Sequence, residues 1–176
     1  MTKQELETCI HEYGKEIYSF CKHLTCSLQE ADDLYQDTFL KAVELNEKID
    51  YTDNPKSYLL SIALRIWKNR KRKFAWRKRI ADVQYTAQEQ DMQIRMPEEL
   101  SPEEQMLSHE RIAAVKKAVH NLPERFRVII LLYYMEELPV AQIAVILKIP
   151  AGTVKSRLFQ ARKLLKKDLE DVLNEG

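Results

Sequence analysis

The chain has 176 residues, of which 45% are hydrophobic and 31% are charged, an ordinary composition for a soluble globular protein. Its longest apolar run, Val128 to Met135, is far shorter than the roughly 20 residues that cross a bilayer, and its first residues do not resemble a signal peptide. Direct membrane insertion is therefore excluded, and a cytoplasmic protein is predicted. Three cysteines without a C-x-x-C pair suit free thiols in a reducing compartment.

The formal net charge is only +1, but the charges are strongly segregated along the chain. Residues 54–81 carry ten basic and no acidic side chains, whereas residues 82–110 carry one basic and eight acidic side chains. From residue 111 onward there are twelve basic and seven acidic side chains. A single basic run is usually a solvated face, but two such stretches containing aromatic residues predict two surfaces that face a polyanion.

The predicted secondary structure of the first part is helical. Glycine is scarce and few segments alternate apolar with polar residues, so β-hairpins lack their usual turns. A first helix is predicted from Lys3 to about Leu24, where apolar residues recur every three or four positions. The capping box Ser27 to Glu30 opens a second helix that ends near Leu45, and a loop of turn composition follows from Asn46 to Lys56.

A third helix is predicted to start with Asn54 as its N-cap and Pro55 at its first position, and it continues into the sequence "WKNRKRKFAWRKR". Residues 81–100 are polar and show no apolar period, which is typical of a flexible linker, here an acidic one. We therefore predict an all-α protein in which two small helical domains, 1–80 and 101–176, are joined by this linker.

The second domain is predicted to contain four helices. A further capping box, formed by Ser101, Pro102 and Glu104, marks its start. The predicted helices are Pro102 to His120, Pro123 to Met135, Pro139 to Leu147 and Ala151 to about Leu173.

The last two helices have the spacing of a helix-turn-helix. Ile143, Leu147, Val154 and Leu158 stand where two short helices pack on each other, and Lys148 stands in the turn, where a left-handed residue is often needed. The second helix of such a pair can enter the major groove of DNA and contact phosphates, base edges or a thymine methyl group. The predicted contacts with duplex DNA are Thr153, Lys155, Ser156, Arg157, Phe159, Gln160 and Lys163.

In the third helix, aromatic residues alternate with cations. Nine basic residues lie between Arg65 and Arg79, together with Trp67, Phe74 and Trp76. Rings can stack on unpaired bases while Lys and Arg follow the phosphates, so this pattern predicts contact with a single strand. Burial of Trp67 and Tyr58 in the core, with a solvated basic tail, is the competing interpretation.

Two other functions compete at this point. A stand-alone helix-turn-helix repressor or activator would bind duplex DNA as a symmetric dimer and would need neither the aromatic basic helix nor the linker. A metal-dependent enzyme or redox sensor is suggested by several Cys and His residues near the N-terminus, but they lack a zinc-binding spacing, so no metal ligand, cofactor or catalytic residue is predicted. These residues are Cys9, His11, Cys21, His23 and Cys26.

The order of these parts resembles the small two-domain extracytoplasmic-function (ECF) sigma factors of the sigma-70 family. The sequence "EADDLYQDTFLKAVE" resembles the polymerase-docking helix of region 2, and "SYLLSIALRIWKNRKRK" resembles the part of region 2 that contacts the minus-ten promoter element. The segment that ends in "GTVKSRLFQARKLLKK" resembles region 4, which recognises the minus-thirty-five element. Departures from the family pattern are Tyr58 in place of the usual Trp, Leu64 and Arg65 in place of Arg and Asn, and Pro139 in place of Ser.

This resemblance implies further site residues. The loop Asn46 to Lys56 matches the segment that captures a flipped base in the family. The positions that match the polymerase-docking motif are Asp33, Gln36, Asp37 and Phe39. The implied minus-ten and melting contacts are Tyr51, Lys56, Tyr58, Trp67, Lys68, Arg70, Lys71, Lys73, Phe74 and Trp76.

The resemblance also implies a set of partners. A sigma factor of this kind binds the core RNA polymerase of bacteria through the β′ coiled coil and the β flap, and it binds promoter DNA. Bond formation belongs to the polymerase, so the chain itself is not expected to be an enzyme. An anti-sigma factor, often anchored in the membrane, is expected to cover both DNA-facing surfaces.

Overall fold

The computed structural model describes residues 3–45, 54–81 and 102–174, and all regular structure within these ranges is helical, which confirms the all-α prediction. The described helices fall into two compact units, which we call the first unit (α1 to α3) and the second unit (α4 to α7). The predicted loop up to residue 53, with Tyr51, and the predicted linker from residue 82 lie outside the described residues. The helices are α1 (Lys3–Thr25), α2 (Leu28–Glu44), α3 (Pro55–Ala81), α4 (Pro102–Asn121), α5 (Glu124–Ile130), α6 (Val140–Leu147) and α7 (Ala151–Asn174).

The first unit is a bundle in which each of the three helices contacts the other two. Both predicted caps are confirmed, because Ser27 Oγ accepts from Glu30 N at 3.4 Å and Asn54 Oδ1 accepts from Ser57 N at 3.3 Å. These bonds satisfy amide groups that a helix leaves without partners in its first turn. The largest fully buried side chains of the unit are Ile17, Phe20, Leu24, Leu34, Leu59, Leu60, Ile62 and Leu64.

Aromatic side chains fill the contact between α1 and α2. The Tyr35 ring packs edge to face against Tyr18 and Phe39, with centroid distances of 5.5 and 4.9 Å. A Cβ atom at Gly14 would lie 3.0 Å from Tyr35 Oη, so the glycine allows the hydroxyl to approach α1. Tyr18 Oη donates to Asp32 Oδ1 at 2.6 Å, and this hydrogen bond, followed by burial, raises the pKa of Tyr18.

In the second unit α7 is the common partner, since α4, α5 and α6 all pack against it. The predicted helix up to Met135 differs in detail, because its α-helical part ends at Ile130 and one π-helical turn, Leu131–Met135, follows. Glu136 N donates to Leu131 O at 3.1 Å, which is the wider hydrogen-bond spacing of a π turn. The buried side chains around α7 include Phe126, Ile129, Leu132, Ile143, Val154, Leu158 and Ala161.

The turn between α6 and α7 confirms the predicted helix-turn-helix geometry. Lys148 has φ 55° and ψ 46°, so it adopts the left-handed conformation that ends α6. Ile149 N then donates to Ala144 O at 3.1 Å, which closes the last turn of the helix. At the other end, Pro139 precedes α6 without a side-chain cap.

Candidate nucleic-acid interface

The outer face of α7 forms the first part of the interface. Val154, Leu158 and Ala161 are buried and fix α7 against its neighbours, as the apolar spacing predicted. Phe159 is 68% exposed, so its phenyl ring lies on the surface among the cations. Of the other predicted duplex contacts, Thr153 and Arg157 are half-buried, and the exposed ones are Lys155, Ser156, Gln160 and Lys163.

Beside this face lies a cluster that the sequence analysis did not find. Arg162 of α7 donates from Nε to Tyr134 Oη at 2.6 Å, and its guanidinium carbon lies 5.4 and 5.5 Å from the ring centroids of Tyr133 and Tyr134. The hydrogen bond to Tyr134 raises the pKa of Arg162 above its ordinary value. The tyrosines lie 28 and 29 residues before the arginine, so the local helical pattern gave no sign of this contact.

The C-terminal part of α3 is the second basic surface. All residues from 71 to 80 are exposed, including Phe74 at 50% and Trp76 at 65%. Ile80, which the sequence analysis did not single out, is also exposed and lies one helical turn beyond Trp76. The structure therefore presents exposed rings and aliphatic surface among cations, and the predicted cations Lys68, Lys71 and Lys73 are all exposed.

Trp67 requires a correction. It is only 4% exposed, and within the described part of the chain its buried Nε1 has no hydrogen-bond acceptor. The Lys71 ammonium lies 5.6 Å from the centroid of the ring. The prediction that this ring stacks on DNA is therefore wrong for the described structure, and the burial of Trp67 in the core is confirmed.

Three other predicted minus-ten contacts are engaged within the first unit. Lys56 Nζ lies 2.6 Å from Glu16 Oε2, and the lysine side chain is only 18% exposed, so this pair joins α3 to α1. Arg70 forms an ion pair with Asp37 of α2. Tyr58 is half-buried, and burial raises its pKa although nearby Arg65 opposes the shift.

The predicted polymerase-docking residues lie on α2. Asp33, Gln36 and Asp37 are exposed, whereas Phe39 is only 6% exposed and packs against the Tyr35 ring. The prediction that Phe39 contacts a partner directly is therefore wrong in this structure. Leu40 is the residue that sequence reasoning missed: it is 63% exposed, seven positions after Asp33, and therefore on the same helical face.

The alternative of a metal centre finds no geometric support in the described ranges. In them, no group of three or more His, Cys, Asp and Glu side chains could hold a metal ion. Cys9 and Cys21 are buried, and burial is the main cause that raises the pKa of Cys9 and keeps its thiol protonated. Likewise, none of the helices in these ranges is both long and apolar enough to span a bilayer.

Comparison with known proteins shows which family this chain is similar to. Residues 9–77 match Sigma-70 region 2, and residues 107–165 match Sigma-70 region 4. The ECF RNA polymerase sigma-E factor of Haemophilus influenzae is 30% identical over 84% of this chain and 78% of its own length, and the ECF RNA polymerase sigma factor SigW of Bacillus subtilis is 27% identical over 91% and 86%.

The fold is also similar to a solved structure, the sigma factor RpoE of Bartonella quintana in complex with the anti-sigma factor NepR. That similarity has a TM-score of 0.77 at 22% identity and covers 95% of this chain and 98% of the other. The matches to both regions, in the same order as the two helical units, lead to one conclusion. The chain belongs to the sigma-70 family of RNA polymerase sigma factors, in its ECF group.

Proposed function

We propose that this chain directs bacterial core RNA polymerase to specific promoters and that its two units contact different promoter elements. The observation that carries the proposal is that one sigma-70 chain has two surfaces of exposed cations and exposed aromatic rings, one on α3 and one on α7. In terms of the sequence, we assign residues 1–80 to polymerase binding and minus-ten recognition, 81–100 to the linker and 101–176 to minus-thirty-five recognition.

Polymerase docking is assigned to α2. Asp33, Gln36, Asp37 and Leu40 form one exposed stripe in which carboxylates alternate with an amide and an apolar side chain. Such a stripe fits a basic partner helix, because the carboxylates provide charge complementarity and the leucine provides apolar area that is removed from water. Phe39 is not part of the stripe, because it is buried and packs against Tyr35 of the same helix.

Strand separation is assigned to the exposed end of α3. Extruding a base costs a few kcal/mol of unstacking and unpairing, and stacking on an aromatic ring returns about 1 to 3 kcal/mol per base. Phe74 and Trp76 are exposed at 50% and 65%, so bases can reach both rings, and the cations around them can follow the phosphates. This surface only binds DNA, and the polymerase catalyses RNA synthesis.

Duplex recognition is assigned to α7. Its buried face is fixed against α4, α5 and α6, so the helix can enter a major groove without being remodelled. Gln160 can pair with adenine, Phe159 can contact a thymine methyl group, and Lys155 can bind a phosphate or a guanine edge.

Regulation by an anti-sigma factor is the further part of the proposal. The sigma factor RpoE of the similar structure is bound to the anti-sigma factor NepR, and this chain has the same fold over nearly its whole length. We assign the exposed surfaces of α3 and α7 as those that an anti-sigma factor, possibly membrane-anchored, would cover. The location that this function requires is the cytoplasm, where the polymerase is.

The function can be tested by reconstituted transcription. Bacterial core polymerase that lacks its own sigma factor is mixed with the purified chain and a library of random promoter sequences, and the 5′ ends of the transcripts are sequenced. We expect defined start sites with two shared upstream elements. A chain that neither binds the core enzyme nor selects start sites would refute the proposal, and tight binding to a palindromic duplex without polymerase would favour a stand-alone regulator.

A further inference from the structure

The contact between Arg162 and Tyr134 suggests a role beyond packing. The arginine side chain is restrained in three ways: its Nε donates to Tyr134 Oη, and its guanidinium faces the rings of both Tyr133 and Tyr134. The two rings are themselves packed edge to face, with a centroid distance of 4.9 Å and an interplanar angle of 79°. A long, flexible side chain is thus held in one position before any partner arrives.

Arg162 also lies at the edge of the duplex-binding face of α7. At about 100° per residue, Arg162 points within about 20° of Lys155 around the helix and within about 60° of Phe159. Both of these side chains are exposed, as is Tyr134, which is 54% exposed. The restrained guanidinium is therefore next to the surface that the proposed function assigns to the major groove.

The charge of Arg162 is not offset by the groups that hold it. In the described residues its contacts are the phenol side chains of Tyr133 and Tyr134, and no carboxylate forms an ion pair with it. Other cations of this chain do have carboxylate partners: Arg70 forms an ion pair with Asp37, and Lys166 Nζ lies 3.8 Å from Glu170 Oε1. Tyr134 accepts from Nε, and a guanidinium has five N–H donors in all, so donors remain for an anionic acceptor even with Tyr133 as a second partner.

We propose that Arg162 binds a backbone phosphate of the duplex at the edge of the minus-thirty-five element and that Tyr134 is a positioning residue that holds it for this contact. Phosphate is favoured over a base edge because the arginine is at the side of the helix face, where helix-turn-helix proteins contact the backbone. The inference rests on the proposed function, since it requires α7 to bind duplex DNA.

The test uses holoenzyme assembled from core polymerase and the full-length chain, with a promoter duplex recovered from the random library. Arg162→Ala should weaken promoter binding about tenfold and lower the slope of affinity against salt concentration by about one unit, because one phosphate contact is lost. Tyr134→Phe keeps the charge and the ring, so it should weaken binding less and leave the salt slope unchanged. Lys117→Ala on α4 removes an equal charge elsewhere and should change neither quantity.

A phosphate scan locates the contact. Each backbone phosphate of the minus-thirty-five region is replaced in turn by a neutral methylphosphonate, and at one position we expect the wild type to lose affinity while Arg162→Ala does not. Equal sensitivity of the two proteins at every position, or an unchanged salt slope, would overturn the inference. So would a loss of polymerase or protein-partner binding with normal DNA affinity, since the guanidinium would then hold a protein carboxylate.

Failure of this inference and failure of the proposed function give different results. If the wild-type holoenzyme does not bind a promoter at all, the function is wrong. If it binds and Arg162→Ala binds equally well, only the phosphate contact is wrong. Thermal unfolding of each variant, with Arg162→Lys as a conservative control, shows whether a lost contact reflects a lost fold.

Discussion

Asp37 on α2 and Arg70 on α3 form an ion pair that joins the proposed polymerase-docking stripe to the proposed promoter surface. Both side chains are substantially exposed, at 50% and 36%, so the pair is a surface interaction. Such pairs contribute about 0 to 1 kcal/mol to stability, and its loss should not unfold the unit. Its interest lies in its position, because any partner that binds the Asp37 carboxylate also changes the surroundings of Arg70.

The first prediction separates the two members of this pair. Asp37→Asn should weaken binding to core polymerase, whereas Arg70→Gln should leave core affinity unchanged or tighter, because the carboxylate is then no longer shared. Arg70→Gln should instead weaken binding to a forked promoter with an unpaired minus-ten strand. Fluorescence titration with core enzyme and with forked DNA measures both effects. Weaker core binding by Arg70→Gln would assign the arginine to the polymerase surface.

A second prediction distinguishes the neighbours Phe39 and Leu40. Phe39 is buried, so Phe39→Ala should lower the free energy of unfolding by about 3 to 5 kcal/mol. Leu40 is exposed, so Leu40→Asp should change that free energy by about 0.5 kcal/mol or less while greatly reducing affinity for core polymerase. Urea unfolding and co-purification with core enzyme measure the two quantities. If Leu40→Asp bound core enzyme normally, the docking stripe would not include this residue.

A third prediction compares the two tryptophans of α3. Trp67→Ala removes a buried ring and should destabilise the first unit by about 3 to 5 kcal/mol. Trp76→Ala removes an exposed ring and should leave stability nearly unchanged while reducing promoter opening about tenfold, as expected from the loss of one stacked base. Permanganate reactivity of thymines reports the opening. Normal opening by Trp76→Ala would exclude this ring from strand separation.

The buried faces of these helices could largely be predicted, since burial follows the helical period. Val154, Leu158 and Lys148 lie as their spacing predicted, and the period also explains Trp67, which stands seven positions after Leu60. The error at Phe39 came from matching a motif without asking which of its positions face inward.

Contacts between helices could not be predicted in the same way. The ion pair of Asp37 with Arg70 joins residues 33 positions apart, and the bond of Arg162 to Tyr134 joins residues 28 positions apart. Each requires the crossing angle and relative rotation of two helices, which depend on how whole faces interlock. Local spacing reports which face is buried but not which partner side chain it meets, so these pairs emerged only from the structure.

The last prediction concerns two exposed residues of α7 whose proposed contacts differ in kind. Phe159→Ala should weaken binding to the selected promoter about tenfold and relax its preference at one thymine, but leave the salt dependence unchanged because no charge is lost. Lys155→Ala should reduce the salt slope by about one unit, because a cation is lost. Both variants should bind core polymerase as the wild type does, since polymerase docking is assigned to α2 and not to these two residues. Competition between promoter variants at several salt concentrations measures the two effects, and a loss of core binding by either variant would contradict this division between the two units.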